Sequence, residues 1–546
     1  LAVVGFGLVR WKDKLEPGRP AGQPTARATQ DGKRSGSEVP QEVPEIELAA
    51  TQFEVPKLAP AGAYAPKDGI IDVELSEYAG YAGLIAANGG LEPSENSIFF
   101  RKHGFKVRIK LSEEESWSAL NSGKMAASAT TADVLAVYGR QFQVVVPVQI
   151  GFSRGADGVV VRSGIKRIND LKGKVLAASQ FTEADFFIRY LAQEAGLAVN
   201  MLPDLKTPAE REKLNLVYCE DAFVAGDAFL SDVQSGANRL AGCVTWAPKT
   251  TEVAEASKGK AHILTTNKNL LIIADILVVN KGFAQQQPKM VEGLVEGLLE
   301  GNKLVRDNSG PARDAVSKAF QWERAQTQLE LAKVHLSNGL ENLAFFSGAI
   351  DAAGSFGGIY QSAIYAYGGE LIKDPLDSER FVDLQHLRKL EQSGAFAGQQ
   401  VAIQPIRTQT AGPVESDPLL SKNIRFLFQP NKAELDLDNE GNRQNLADLK
   451  QLLQVSPGST ILLRGHVDNA QIETFRKQGG EAFLRQQAMR AVEFSKQRAS
   501  EIKRLLVELE KVDPARLETV GRGWEEPVGS NMDQNRRVEA QWFTLE

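Results

Sequence analysis

A proline-rich stretch near the start of the chain sets the terms for everything after it. Eight of the 23 prolines fall between Pro17 and Pro66, with Gly18, Gly22, Gly32, Gly36 and many charges among them. Such a composition buries too little apolar surface to offset the entropy lost on ordering. Residues 12–67 are therefore expected to be a disordered linker, and about 50 residues of polyproline and coil reach tens of ångströms. Before it stands LAVVGFGLVRW, apolar up to Arg10 but shorter than the roughly 20 residues a bilayer helix needs. Residues 1–11 are expected to be the end of a transmembrane helix that starts before residue 1, with Trp11 at the interface. No later run in the sequence is apolar for long enough to span. A tether of this kind holds a folded body away from a membrane.

The 546 residues exceed one core, and at roughly 100–200 residues per domain they divide into about three or four units. The net charge of −6, from 63 basic and 69 acidic residues, excludes a generally basic nucleic-acid binder. Two cysteines exclude a disulfide scaffold and a Cys-rich zinc module. Cys219 and Cys243 either pair or stay as two buried thiols. Five histidines leave little room for a His-based metal site. There is no nucleophile triad motif, no phosphate loop and no HExxH spacing, so no enzyme, metal or cofactor is expected.

Regular patterning begins near Ile70. GIIDVEL, FKVRIKL and FQVVVPVQI read as strands, interleaved with a Gly/Tyr turn at SEYAGYAG, a helical run at LIAANGG and helices on either side of MAASATT. GVVVRSGIKRINDLKGKVLAAS continues as strand, short helix and strand. A helix follows from Ser179–Thr182. Strands alternating with helices imply a largely parallel α/β architecture, whose ligand crevice lies beyond the carboxyl ends of the strands. Three strand-to-helix junctions there carry small hydroxyl residues: Ser76 to Gly80, Ser128 to Thr131 and Ser179 to Thr182. Their hydroxyls are expected to cap the helices. Beside exposed N–H groups they also make a hydrogen-bonding seat for a small polar or anionic solute. Tyr78, Tyr81, Phe181 and Trp246 can wall it.

Residues 158–197, then TWAPKTTEV, then ADILVVNKGFAQQQPKMVEGLVEGLLEG, resemble the periplasmic substrate-binding proteins of the nitrate, sulfonate and taurine type. The order and spacing of Leu171-Lys172-Gly173-Lys174, Trp246-Ala247-Pro248 and Asp275 carry the likeness. It implies a two-lobed, type II binding-protein fold over 68–370, with chain crossings near Val148 and Asp275 as hinges. Candidate ligand-binding residues are Tyr78, Tyr81, Thr130, Thr131, Phe181, Thr182, Trp246 and Asp275. Thiamine-pyrimidine synthases share this fold, but the reactive histidine and cysteine-rich iron motif they need are absent.

Residues 371–424 read as a linker with a short helix. From about 425 to 546 the order is strand, helix, strand, long amphipathic helix and two strands. Arg464-Gly465-His466-Val467-Asp468-Asn469, Ser495-Lys496-Gln497-Arg498-Ala499, Gly521 to Pro527 and Asn535-Arg536-Arg537-Val538-Glu539 resemble the peptidoglycan-binding α+β domain of OmpA and of flagellar stator proteins such as MotB. The resemblance implies that Asp468 and Arg498 take the zwitterionic end of a diaminopimelate stem, a carboxylate for its ammonium and a guanidinium for its carboxylate. Arg537 is a further candidate contact. IETFRKQGGEAFLRQ, between Asp468 and Arg498, is an apparent insertion. The implied whole is a periplasmic solute binder of ABC-transporter type, held at the inner membrane and on peptidoglycan. Its implied partner is a permease or a motor-type membrane protein. The alternative is an envelope anchor whose binding-type body serves as a scaffold.

Overall fold

Long β-branched runs without charge build the centres of two sheets. VVVPVQIGFS, Val144–Ser153, is buried along almost its whole length, as a strand covered on both faces must be. In the first sheet the spatial order is Val334–Leu336, Val144–Ser153, Ala274–Asn280, Ala127–Thr131, Ile70–Leu75 and Lys106–Leu111. The last three run parallel, and Ala274–Asn280 is antiparallel to both of its neighbours. Pro147 has no N–H for the ladder, and the register against Ala274–Asn280 slips there, from Leu277 opposite Val148 to Val279 opposite Val145.

The second sheet runs Ala261–Thr266, Asp157–Arg162, Gly242–Trp246, Val175–Ser179, Leu214–Cys219 and Val199–Met201. The chain enters it between Ser153 and Asp157 and leaves it between Thr266 and Ala274. The return crossing ends one residue before the expected Asp275. The outgoing one lies beyond the expected Val148, because the strand through Val148 continues to Ser153. The helix Phe356–Leu371 packs on Val134–Tyr138 of the first lobe and Glu183–Glu194 of the second.

The computed structural model describes residues 46–112, 116–349, 354–403, 418–429, 432–456 and 458–544. The expected membrane segment, 1–11, and the linker up to residue 45 lie outside them. Among the described residues no helix is long and apolar enough to cross a membrane.

Residues 46–67 correct the remainder of the expected linker. They run extended across both lobes. Ala49 N–H donates to Tyr218 C=O at 2.9 Å and Thr51 Oγ1 to Leu202 C=O at 2.6 Å on the second lobe. On the first lobe, Gly62 N–H donates to Asn121 C=O at 2.9 Å, and the buried Tyr64 hydroxyl to Asp72 at 2.8 Å. Proline-rich composition here means an extended strap. Its backbone groups find partners on the lobes.

The stretch expected as a second linker is also largely structured. Leu387 and Phe396 are buried against the first lobe, and Leu420–Ile424 is the edge strand of a third sheet. That sheet runs Leu420–Ile424, Val538–Phe543, Thr460–His466 and Leu517–Gly523. Helices Glu440–Val455 and Ile472–Glu508 supply its core through Leu449, Leu453, Ile502 and Leu506, around the fully buried Trp542. Asn169 fastens this domain to the second lobe. Its Nδ2 donates to Ser421 C=O and its Oδ1 accepts from Ser421 N–H, both at 2.8 Å.

Two glycines let the long helix lie directly on the sheet. A Cβ at Gly465 would stand 2.0 Å from Ser495 C=O, and one at Gly521 2.1 Å from Val492 C=O. Gly465→Ala is therefore expected to destabilise the domain by about 1–3 kcal/mol, as overpacking does. Urea unfolding followed by tryptophan fluorescence checks this.

Candidate functional site

The strand ends and the two crossings meet in a cavity of about 50 Å³ between the lobes. Six of the eight candidate ligand residues line it: Tyr78, Tyr81, Thr131, Thr182, Trp246 and Asp275. Thr130 does not, since successive strand residues face opposite sides and it is buried within Ala127–Thr131. Phe181 lies behind the cavity on Tyr367, with ring centroids 6.0 Å apart. The hydroxyls do not cap. Thr182 makes no side-chain cap bond to its helix and instead donates to Ser179 C=O at 2.9 Å. Thr131 is buried and its hydroxyl acts on the Asp133 carboxyl.

Sequence reasoning missed four acidic and hydroxyl residues of the lining: Ser153, Asp157, Glu183 and Asp221. Asp157 starts the strand just past the outgoing crossing, so misplacing the crossing hid it. Glu183 and Asp221 sit at strand-to-helix junctions, where an acid reads first as helix-terminal. Asp221 is indeed an N-cap, accepting from Val224 N–H at 2.8 Å. Among the described residues the lining thus holds four carboxyls and no Lys, Arg or His.

Burial pushes the Asp275 carboxyl well above its usual range, and the charge of Asp157 adds to this. Tyr78 OH donates to its Oδ2 at 3.5 Å. Asp157 is pushed up to about 6 by burial, against donors Ser153 Oγ and Asn267 Nδ2, the latter at 3.0 Å. Asp133, directly below, is pushed up to about 7 by burial, which the Thr131 hydroxyl offsets only in part.

Asp133 and Asp157 hold their protons more tightly in the fold than in the unfolded chain, where Asp titrates near 3.9. The stability they contribute is complete below that value and is lost as pH rises through about 6 and about 7. Asp133→Asn is expected to flatten this loss, raising the melting temperature relative to wild type most near pH 8, less near pH 5 and not below about pH 4. Thermal melts across that range check it. The two cysteines are free and buried. Burial pushes the Cys219 thiol up to about 12 and raises Cys243 as well.

In the C-terminal domain Asp468 and Arg498 share one neighbourhood, though neither is the other's direct partner. Asp468 Oδ2 accepts from Arg536 Nη1 at 3.1 Å. The Arg498 guanidinium lies over the rings of Phe428 and Phe494, at 4.7 and 4.4 Å, and donates to Lys432 C=O at 3.4 Å. Burial lowers its pKa first, then the charge of Arg536; Asp468 acts in the opposite sense.

The apparent insertion forms the start of the long helical stretch, kinked at Gly479 and Gly480, and stacks Phe475 on Trp524. Arg537 is not part of this group. It is nearly buried, donating to Asn423 Oδ1 at 3.1 Å and Glu526 C=O at 3.2 Å. It borders a separate groove of about 460 Å³. Of the two adjacent arginines, Arg536 is the one that sequence reasoning missed. Strand alternation at the entry to Val538–Phe543 is the signal that separates them.

His466, Glu526 and Glu539 bring possible metal-ligating atoms within 4.8 Å of one another. Arg464 already bridges the two carboxylates, at 2.8 and 2.7 Å.

No curated protein matches the chain. Among solved structures it is similar to the alkanesulfonate-binding protein SsuA from Xanthomonas axonopodis pv. citri bound to MOPS. The identity is 14% and the TM-score 0.43, over 59% of this chain and 100% of that one. It is also similar to the periplasmic aliphatic sulphonate binding protein SsuA from Escherichia coli, at 14% identity and a TM-score of 0.42, over 58% and 97% of the two chains. The ligand-binding component of an ABC-type import system from Staphylococcus aureus, with zinc bound, gives 13% and 0.42, over 59% and 98%. At such values these likenesses assign no ligand. Residues 95–310 match the family model described as NMT1/THI5 like, and residues 427–541 match that of the OmpA family. The chain therefore carries an NMT1/THI5-like segment at residues 95–310 and a C-terminal OmpA-like segment at residues 427–541.

Proposed function

We propose that the chain is a periplasmic solute-binding protein of ABC-import type that is itself anchored to peptidoglycan. One observation carries the binding half. Trp246 Nε1 and Asp275 Oδ1 both belong to residues lining the interlobe cavity, and both are buried without a hydrogen-bond partner. An unmet buried polar group costs about 1–3 kcal/mol, and two in one cavity are best explained by a solute that meets them. A membrane permease is then the partner that receives it.

The anchoring half rests on Asp468 beside Arg498 and Arg536, opposite charges at the surface of the OmpA-family domain. Together they can pair with the ammonium and carboxylate of a diaminopimelate stem.

The test of the binding half is a thermal-shift screen of the full chain against small metabolites of both charges. A solute at 100 times its dissociation constant adds about 2.7 kcal/mol to stability. The small size of the cavity favours a second reading, in which the two-lobed body is a scaffold for another envelope protein. A screen in which nothing shifts the melting temperature would select that reading.

A further inference from the structure

Resting on the reading of the cleft as a solute site, we propose that the solute is a small protonated amine that also carries one hydrogen-bond acceptor, such as an amino alcohol. The lining combines Asp157, Glu183, Asp221 and Asp275 with no basic side chain. The charges acting on Asp275 are those of Asp157 and Asp133, and both oppose its ionisation. Asp157 and Asp275 are both buried, so the two ionise together only when a positive charge arrives with the ligand.

Nearby cations of the protein are engaged elsewhere. Arg154 donates to Lys268 C=O at 2.7 Å, Lys249 pairs with Asp227 at 3.0 Å, and Arg189 pairs with Asp185 at 2.7 Å. A bare metal ion does not fit either. Among the described residues, only His466, Glu526 and Glu539 gather three potential ligand atoms within 4.8 Å, and none of these is in the cleft. The charge must therefore be spread over a molecule.

The unpartnered atoms give its polarity. Asp275 Oδ1, in a residue 1% exposed, seeks a donor, as an ammonium N–H supplies. Trp246 Nε1, in a residue 9% exposed, is a donor and seeks an acceptor. The rings of Tyr78, Tyr81 and Trp246 in the lining favour an ammonium over their faces. The cavity of about 50 Å³ restricts the solute to a few heavy atoms unless the lobes part.

The test is a titration of the full chain, by calorimetry and thermal shift, with ethanolamine and methylammonium against acetate and methanesulfonate. Ethanolamine is expected to bind and raise the melting temperature, methylammonium more weakly, and the two anions not at all. Asp275→Asn, close in shape to the native side chain, should weaken ethanolamine binding about 10- to 150-fold, the loss of one charge-assisted hydrogen bond. Trp246→Phe should weaken ethanolamine more than methylammonium, since only ethanolamine has an acceptor for the indole N–H. Binding of acetate or methanesulfonate in place of the amines would overturn the amine assignment and leave the solute reading standing. Binding of none of the four, with none of a wider metabolite panel, would overturn both.

Discussion

Replacing Arg189 by methionine is expected to cost the protein about 3–5 kcal/mol, the usual result of removing one partner from a buried ion pair. Arg189 is 4% exposed and Asp185 is fully buried. Arg189 Nε donates to Asp185 Oδ1 at 2.7 Å and its Nη2 to Tyr218 OH at 2.8 Å, while Tyr218 OH reaches Asp185 at 3.2 Å. The guanidinium also covers the Tyr367 ring at 5.1 Å. Asp185 Oδ2 accepts from the N–H of Phe181, which is held at φ 62, a costly left-handed backbone for an aromatic residue. The network thus fixes the turn that delivers Thr182 to the cavity. Arg189→Met leaves Asp185 charged and uncompensated, so the double variant Asp185→Asn/Arg189→Met should recover part of the loss. Urea unfolding of the three proteins measures it. A single-variant loss below about 1 kcal/mol would show that water reaches the pair and replaces the missing charge.

Asp468→Asn and Arg498→Ala are each expected to lower affinity for purified sacculi by roughly 10- to 150-fold, as follows from about 1.5–3 kcal/mol per charge-assisted hydrogen bond. Folding should survive. Arg536 keeps Asp533 as a second partner when Asp468 loses its charge, and Phe428 and Phe494 belong to the domain whether or not Arg498 covers them. Arg537→Ala separates the two arginines of the motif. Its contacts to Asn423 and to Glu526 C=O are internal, so it should lower the melting temperature more than Arg536→Ala does. Wall binding should fall more for Arg536→Ala. Sedimentation with sacculi, beside circular dichroism of each variant, distinguishes the cases. Equal pelleting of Asp468→Asn and wild type would remove Asp468 from the site.

Local rules carried the sequence a long way. Runs such as VVVPVQI and the hydroxyl-marked junctions are written in periodicity and turn chemistry, so the two-layer body and six lining residues were legible. What failed depended on distant partners. Residues 46–67 look unfoldable by composition, yet Gln141 and Asn280 take their backbone N–H groups, at 3.0 and 3.1 Å, from more than 80 residues away. The outgoing crossing was misplaced because Pro147 interrupts an apolar run without ending it. Asp157 was then unreadable as a cavity residue. The strand expected at NIRFLFQ forms instead at Leu420–Ile424, since its register is set by pairing Leu420 with Trp542 and Ile424 with Val538. The acidic character of the lining was illegible for a related reason. Helix N-termini argue for an anion one junction at a time, whereas the converging carboxyls appear only when both lobes are assembled.

The most direct measurement of the wall-anchored binding protein is sedimentation of the intact chain with diaminopimelate-containing sacculi, with and without excess free diaminopimelate. The expected result is pelleting that the free amino acid abolishes, because both would occupy the charges of Asp468, Arg498 and Arg536. Protein that stays in the supernatant, or that pellets equally with and without the competitor, would contradict it.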